Sequence, residues 1–294
     1  MAYSDRIKSS FAGFWRNPSL LVVLILEFVG LLVLGVLFTL LSMVMPKTWL
    51  SGQPTLALVV MLLIMLVQLF VYLYVHSFFA SGFYGMAKNL VQDGSTKFSE
   101  FVANAKRYWH EFFWFLFVKS VIFILIGAPL FIAAVSFYGT DPSLVTPDQQ
   151  TAVLVTLSLF LTLWTVVSFW LLYAKASITF REDGPLKAIN TSFKMANARA
   201  GASLAALMWV VLTAVVGIAL FFLLLLPFDL AYNATQSTTW SVVGDIFYLL
   251  FTVVPMSASI IGSLFVFFTY EEITADKPHK TVVKVAKRPV ARKK

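Results

Sequence analysis

Two ionisable residues lie where an apolar chain least accommodates them. Glu27 falls seven residues into the first long apolar run and Lys119 seven residues into the third. A charge inside a hydrocarbon layer is expensive and is a functional candidate by default. Both runs leave from the same side, so at about 1.5 Å per residue each group sits ~10 Å below that interface. Their near-equivalent positions lead to an expected ion pair between Glu27 and Lys119. Such a pair would latch two helical hairpins together, which is the preferred reading. It could also form a substrate or proton site, and snorkelling of either side chain to the interface is the third possibility.

Other chemistry is sparse. The chain has no cysteine, which excludes disulfides, thiolate metal sites and a cysteine nucleophile. Its histidines, His76, His110 and His279, are scattered and match no metal-ligand spacing. There is no Gly-rich phosphate loop, no His-Glu-x-x-His and no nucleophile elbow. No catalytic residue, no metal and no cofactor is expected, and the chain reads as a non-enzyme. His76, one turn before the end of the second run, reads as interfacial, and Lys175, near the end of the fourth, as snorkelling.

The elements that must position these residues follow from composition. Of 294 residues 60 % are hydrophobic and only 12 % charged, where a soluble domain has about 45–50 % and about 25 %. So much apolar surface does not fit inside a soluble core of this size. The solvent is then a bilayer, which only helices or closed barrels cross. Six apolar segments are long enough to cross as helices: Leu20–Val44, Thr55–Ala80, Phe112–Ser136, Thr151–Ser177, Ala202–Leu226 and Trp240–Tyr270. Pro129 and Pro255 should bend their spans, and the small residues Ser257, Ala258, Ser259 and Gly262 suit close helix contact. Of the 22 Lys and Arg residues, 20 fall on one side of these spans. The positive-inside rule makes that side cytoplasmic and puts both termini there, in a multi-pass protein of the plasma membrane. The opposite side has short turn-rich loops: MPKTWLSGQPT, YGTDPSLVTPDQQ and LPFDLAYNATQSTTW. The last holds Asn233-Ala234-Thr235, a possible glycosylation site at Asn233.

The cytoplasmic side carries three amphipathic stretches. In FREDGPLKAINTSFKMANARAG, Leu186, Ile189, Phe193 and Ala196 recur at helical spacing, with Lys187 and Lys194 on the other face and Arg199 beyond. Asp183-Gly184-Pro185 supplies a turn and a proline suited to a first helical turn. In the N-terminal stretch, Ile7, Phe11, Phe14 and Trp15 oppose Arg6, Lys8 and Arg16. After the second span, Phe98, Phe101, Val102, Ala105 and Trp109 oppose Lys97, Lys106 and Arg107, with Ser95 placed to cap a helix. Each stretch immediately precedes an outward span. The expected fold is therefore all-α and polytopic: six transmembrane helices in three repeated hairpins (about 1–92, 93–182 and 183–276), each preceded by a cytoplasmic interfacial amphipathic helix.

The FREDGPLKAINTSFKMANARAG stretch, with NPSLLVVLIL at the first span, resembles a broad group of uncharacterised prokaryotic six-span membrane proteins. These are similar to the membrane domain fused to some bacterial glycerophosphodiester phosphodiesterases. The resemblance extends to about Tyr270 and implies the six-span fold. It carries over no catalytic residue, because the catalytic barrel of those enzymes has no counterpart here.

After a single membrane domain, 1–276, residues 277–294, KPHKTVVKVAKRPVARKK, have no acidic residue and read as a disordered basic tail drawn to anionic headgroups. The expected partners are membrane lipids of anionic type, with a protein partner or a homo-oligomer as further options. Nucleic acid ranks lowest, since a basic arm alone is unspecific. The leading functional expectation is a non-enzymatic membrane scaffold or accessory subunit organising lipid or a partner through its basic face. The alternative is a transporter or channel for a small or lipidic solute, using the Glu27/Lys119 region.

Overall fold

The computed structural model describes residues 3–44, 54–138, 147–235 and 238–275. Among them all regular structure is helical. The helices are α1 (Tyr3–Arg16), α2 (Ser19–Val44), α3 (Pro54–Asp93), α4 (Glu100–Tyr138), α5 (Pro147–Leu171), α6 (Ala174–Arg181), α7 (Pro185–Ala198), α8 (Ala200–Thr235), α9 (Thr238–Phe251) and α10 (Val253–Ala275). Six stretches are long and apolar enough to cross a membrane: Ser19–Leu40, Leu63–Asp93, Glu100–Leu130, Thr151–Arg181, Ala200–Thr235 and Val242–Ala275. Lys47, most of the two earlier outer loops and the basic tail 277–294 lie outside the described residues.

Packing is concentrated at one end. The largest fully buried side chains include Leu20, Met86, Phe112, Phe115, Tyr173, Phe265, Phe267 and Tyr270. All sit toward the end where the described Lys and Arg residues gather, here termed the basic end. Toward the far end, long runs of leucine and valine on α2, α3, α5 and α8 face outward, as helices solvated by lipid would. Within the core, α3 is flanked by α2 on one side and α4 on another, while α10 packs against α1, α2, α3 and α8.

Several elements differ from the sequence expectation, each for a physical reason. The second span does not end at Ala80 but runs on as one 40-residue helix to Asp93. At about 1.5 Å per residue it reaches ~60 Å, about twice the ~30 Å hydrocarbon thickness. The extra turns are apolar on one side (Phe83, Met86, Ala87, Leu90) and remain helical because that side is buried in the core. Gly94 ends the helix at φ 76°, its N–H donating to the Leu90 carbonyl at 2.9 Å. The amphipathic stretch before the third span is not a separate helix. It forms the first turns of α4, with Phe101, Ala105 and Tyr108 buried. That helix begins at Glu100, so Ser95 does not cap it. Glu100 itself accepts from Asn89 Nδ2 at 2.8 Å and Thr96 Oγ1 at 3.1 Å, at the helix end that favours an acid.

The fourth span breaks between Leu171 and Ala174, dividing α5 from α6. The sixth breaks at Thr252. Pro255 explains this, since its ring has no N–H for the Phe251 carbonyl and displaces it sterically. Pro129 and Pro227, by contrast, lie inside α4 and α8, which run through them. The third outer loop is correspondingly short, because α8 continues to Thr235. The small residues near Ala258 do mediate close contact: a Cβ on Gly217 of α8 would stand 2.7 Å from the Ala258 Cβ and 3.2 Å from the Pro255 Cα of α10.

A comparable approach joins α3 to α4. A Cβ on Gly82 would lie 2.3 Å from Phe101 Cε2 and 3.1 Å from the Phe101 carbonyl oxygen. Gly82→Ala should destabilise the basic end by about 1–3 kcal/mol through overpacking. The check is a lower thermal midpoint in detergent, with an alanine at Gly35, which faces open space, as the unchanged control.

Candidate functional site

The site is built around the turn between α6 and α7. Glu182 closes α6 in the left-handed conformation (φ 55°), and Gly184 and Pro185 start α7. Asp183 between them is buried. Its carboxylate accepts from Ser177 Oγ at 2.7 Å and Thr191 Oγ1 at 3.4 Å and pairs with Lys187 Nζ at 2.6 Å. A buried carboxylate needs such compensation. Two turns on, Ser192 inserts its hydroxyl into the break between α5 and α6. It accepts from the Tyr173 N–H at 2.9 Å and donates to the Trp170 carbonyl at 2.6 Å. The Tyr173 N–H and the Trp170 carbonyl, freed at the break, are thereby paired.

Burial on α7 selects an unexpected face. Ala188, Ser192 and Ala196, four residues apart, pack inward, while Leu186 (69 % exposed) and Phe193 face out beside Lys187 and Lys194. On α1 the inner face is Ser10, Gly13 and Phe14, and Trp15 is 76 % exposed. Each helix therefore has a small, well-packed inner face and an aromatic or aliphatic outer one, the pattern of a helix lying in an interface.

The nine basic residues expected as lipid or partner contacts divide accordingly. Lys8, Arg16, Lys97, Lys106, Arg107, Lys187, Lys194 and Arg199 are exposed at the basic end. Arg107 pairs across to Glu182, joining α4 to the turn after α6. Arg6 is different: it turns inward, with Nε 3.1 Å from Glu272 and Nη1 donating to Thr269 Oγ1 at 3.3 Å. It fastens α1 to α10. Between α6, α7 and α10 a groove of about 290 Å³ collects Arg181, Lys194 and Arg199 with Thr191 and Thr274.

The expected pair of Glu27 with Lys119 is not formed. Glu27 is buried and bonded to His76 Nδ1 on α3. The reason is topological, since α3 packs between α2 and α4 and offers the nearer partner. His76 is accordingly a helix-to-helix contact, where an interfacial position was expected. It stacks on Tyr72 at 5.7 Å, and Tyr72 and Gln68 line a cavity of about 360 Å³ with Thr39 of α2. The four-residue spacing of Gln68, Tyr72 and His76 was the available signal, because it places all three on one face of α3.

Lys119 instead faces a different, half-open cavity of about 200 Å³ between the helices, together with Lys175. Lys175 does not snorkel outward. The break after α5 restarts the helix at Ala174, and Lys175 Nζ donates to Tyr84 Oη at 2.7 Å. Tyr84 is held between the rings of Phe112 (5.6 Å) and Phe267 (5.4 Å), stacked nearly parallel to both. Nothing in the spacing of Lys175 marked it as inward-facing, because its orientation depends on a helix break stabilised by Ser192.

Asn233 is exposed on the last turns of α8, a helical position where a loop was expected. Among the described residues no group of three or more His, Asp or Glu side chains could hold a metal ion.

Over residues 1–275 the chain matches a family described as a domain of unknown function, DUF7847. It belongs to the DUF7847 family. No curated protein and no solved structure matches the chain. The DUF7847 region takes in all ten helices among the described residues, the Glu27–His76 contact and both lysines of the inner cavity. It gives no link to phosphodiesterase-fused membrane domains.

Two outcomes follow. In a double-mutant cycle, Glu27→Gln and His76→Gln should couple by about 0.5–3 kcal/mol, whereas Glu27→Gln and Lys119→Met should be additive within ~0.5 kcal/mol. Thermal or denaturant unfolding in detergent supplies the four corners. Ser192→Ala should cost about 1–3 kcal/mol by leaving the Tyr173 N–H and Trp170 carbonyl unpaired, seen as faster hydrogen exchange at Tyr173.

Proposed function

We propose that this chain is a non-enzymatic integral membrane protein that organises anionic lipid at its basic end, as a scaffold or as an accessory subunit for a protein partner. The observation carrying it is the groove lined by Arg181 and Lys194, flanked by outward apolar side chains on α7. Cations with adjacent aromatic and aliphatic groups suit a headgroup layer, where each basic residue near an anionic surface contributes about 1 kcal/mol. The positive-inside rule favours a cytoplasmic basic end in the plasma membrane, with both termini on that side. Three repeated hairpins, and kinship to the membrane domains fused to some glycerophosphodiester phosphodiesterases, belong to the same reading. The basic tail 277–294 would add to the attraction.

The alternative, a transporter or channel, is favoured by the polar line of Gln68, Tyr72 and His76 facing α2, more than by the Glu27/Lys119 combination first expected.

The lipid reading is tested by purifying the protein in nanodiscs of mixed phosphatidylglycerol and phosphatidylcholine. Replacing Lys8, Arg16, Lys97 and Lys194 together by Gln should reduce phosphatidylglycerol enrichment around the protein, and the wild-type enrichment should fall with salt. Unchanged enrichment in that variant rejects the reading. A stoichiometric protein retained by wild type and released by the variant would select the accessory-subunit form.

A further inference from the structure

The cavity holding Lys119 and Lys175 has an electrostatic composition that calls for a ligand. Its walls come from α3, α4, α5, α6, α8 and α10, and its polar lining is Tyr84, Lys119, Ser168, Lys175 and Ser263. Two ammonium groups share about 200 Å³ within stretches apolar enough to span a membrane, and no carboxylate among the described residues lines the space. Buried charges in proteins are ordinarily paired, and like charges placed together repel. Glu27, the buried carboxylate of the first span, is committed to His76, and Asp183 to Ser177, Thr191 and Lys187.

Donors are also left over. Lys119 Nζ has no hydrogen-bond acceptor among the described residues; its neighbour is the Phe123 ring, 5.6 Å from the nitrogen to the centroid. Lys175 uses one N–H on Tyr84 and keeps two. The hydroxyls of Ser168 and Ser263 line the same space, and no hydrogen bond to another described residue occupies either. Tyr84 Oη, accepting from Lys175, retains its own O–H to donate. Its ring is fixed between Phe112 and Phe267, so this donor is positioned in advance. The cavity is thus rich in donors, carries two positive charges and lacks anionic acceptors. A tetrahedral oxyanion with several acceptor oxygens matches that inventory better than a neutral solute or a cation.

We infer that the Lys119/Lys175 cavity binds one phosphate group, as the headgroup of an anionic phospholipid or as a free phosphate. Lys119 and Lys175 supply the charge, and Ser168, Ser263 and Tyr84 Oη complete the hydrogen bonds. Volume permits it, since 200 Å³ of accessible space far exceeds the ~10–15 Å³ that one water requires. The inference rests on the lipid reading above only for the headgroup source, and it names a single internal site where that reading names a surface.

The test is native mass spectrometry of the full chain in detergent, with added phosphatidylglycerol, phosphatidylcholine or inorganic phosphate, together with thermal midpoints. Wild type should retain one phosphatidylglycerol and gain thermal stability, with little effect from phosphatidylcholine, whose choline would bring a third cation. Lys119→Met should weaken that retention about tenfold, the effect of losing one charge-assisted hydrogen bond. Lys119→Arg should restore most of it. Lys119 has no protein acceptor to lose, so its variants should fold, which circular dichroism checks; Ser263→Ala is a second, milder probe. If inorganic phosphate alone stabilises wild type and not Lys119→Met, the site stands with a free phosphate as its source. If Lys119→Met keeps the wild-type adduct, or no phosphate species binds, the inference is overturned. The variant lacking Lys8, Arg16, Lys97 and Lys194 separates the two ideas: it should lose bulk enrichment and keep the single adduct. Loss of the adduct only with Lys119→Met, and no enrichment change in the surface variant, would reject the surface reading and leave the internal site.

Discussion

In an apolar solvent every polar group must find its partner inside the protein, and the organisation of this chain follows from that requirement. Backbone groups are satisfied by keeping helices long and unbroken wherever leucine and valine face outward. Where the fourth span breaks, a local device compensates. Ser192 closes the gap between α5 and α6, and its own helix, α7, can reach it only because the Asp183 turn folds the chain back. Side-chain charge obeys the same rule through Glu27 on His76 and Arg6 on Glu272. In the inner cavity Lys175 donates to Tyr84, whereas Lys119 has no acceptor among the described residues.

The basic end combines two roles that small proteins often separate. It is the packed core, where Tyr84, Phe112 and Phe267 stack and where glycines bring α3 against α4. It is also the charged face, with the groove of Arg181, Lys194 and Arg199. Burying the small residues of α7 and turning Leu186 and Phe193 outward makes this possible. Tight packing uses side chains with little volume, leaving the larger apolar groups free to meet headgroups and acyl chains.

How much of this was legible in the sequence depended on whether the signal was local. The six apolar stretches were readable because length and composition alone decide them. So was the Pro255 break, which is a property of one ring, and the Asp183-Gly184-Pro185 turn. Partnerships across helices were not readable. Glu27 and Lys119 looked equivalent along the chain, yet α3 lies between their helices, and linear position carries no information about which helix intervenes. The inward turn of Lys175 depended on a break whose stabilising hydroxyl comes from 17 residues further on. The amphipathic start of α4 read like its counterparts in α1 and α7. Its fusion to the span depended on Phe101 and Tyr108 finding a core.

The contact between α1 and α10 bears on how the protein is made. Arg6, near the start of the described chain, meets its partners Thr269 and Glu272 only after every intervening span has left the ribosome and entered the bilayer. Until then α1 has exposed aromatic groups and an unpaired guanidinium, a combination that rests well at a lipid surface. The first helix can therefore wait in the headgroup layer during insertion, and the arrival of the last span draws it in.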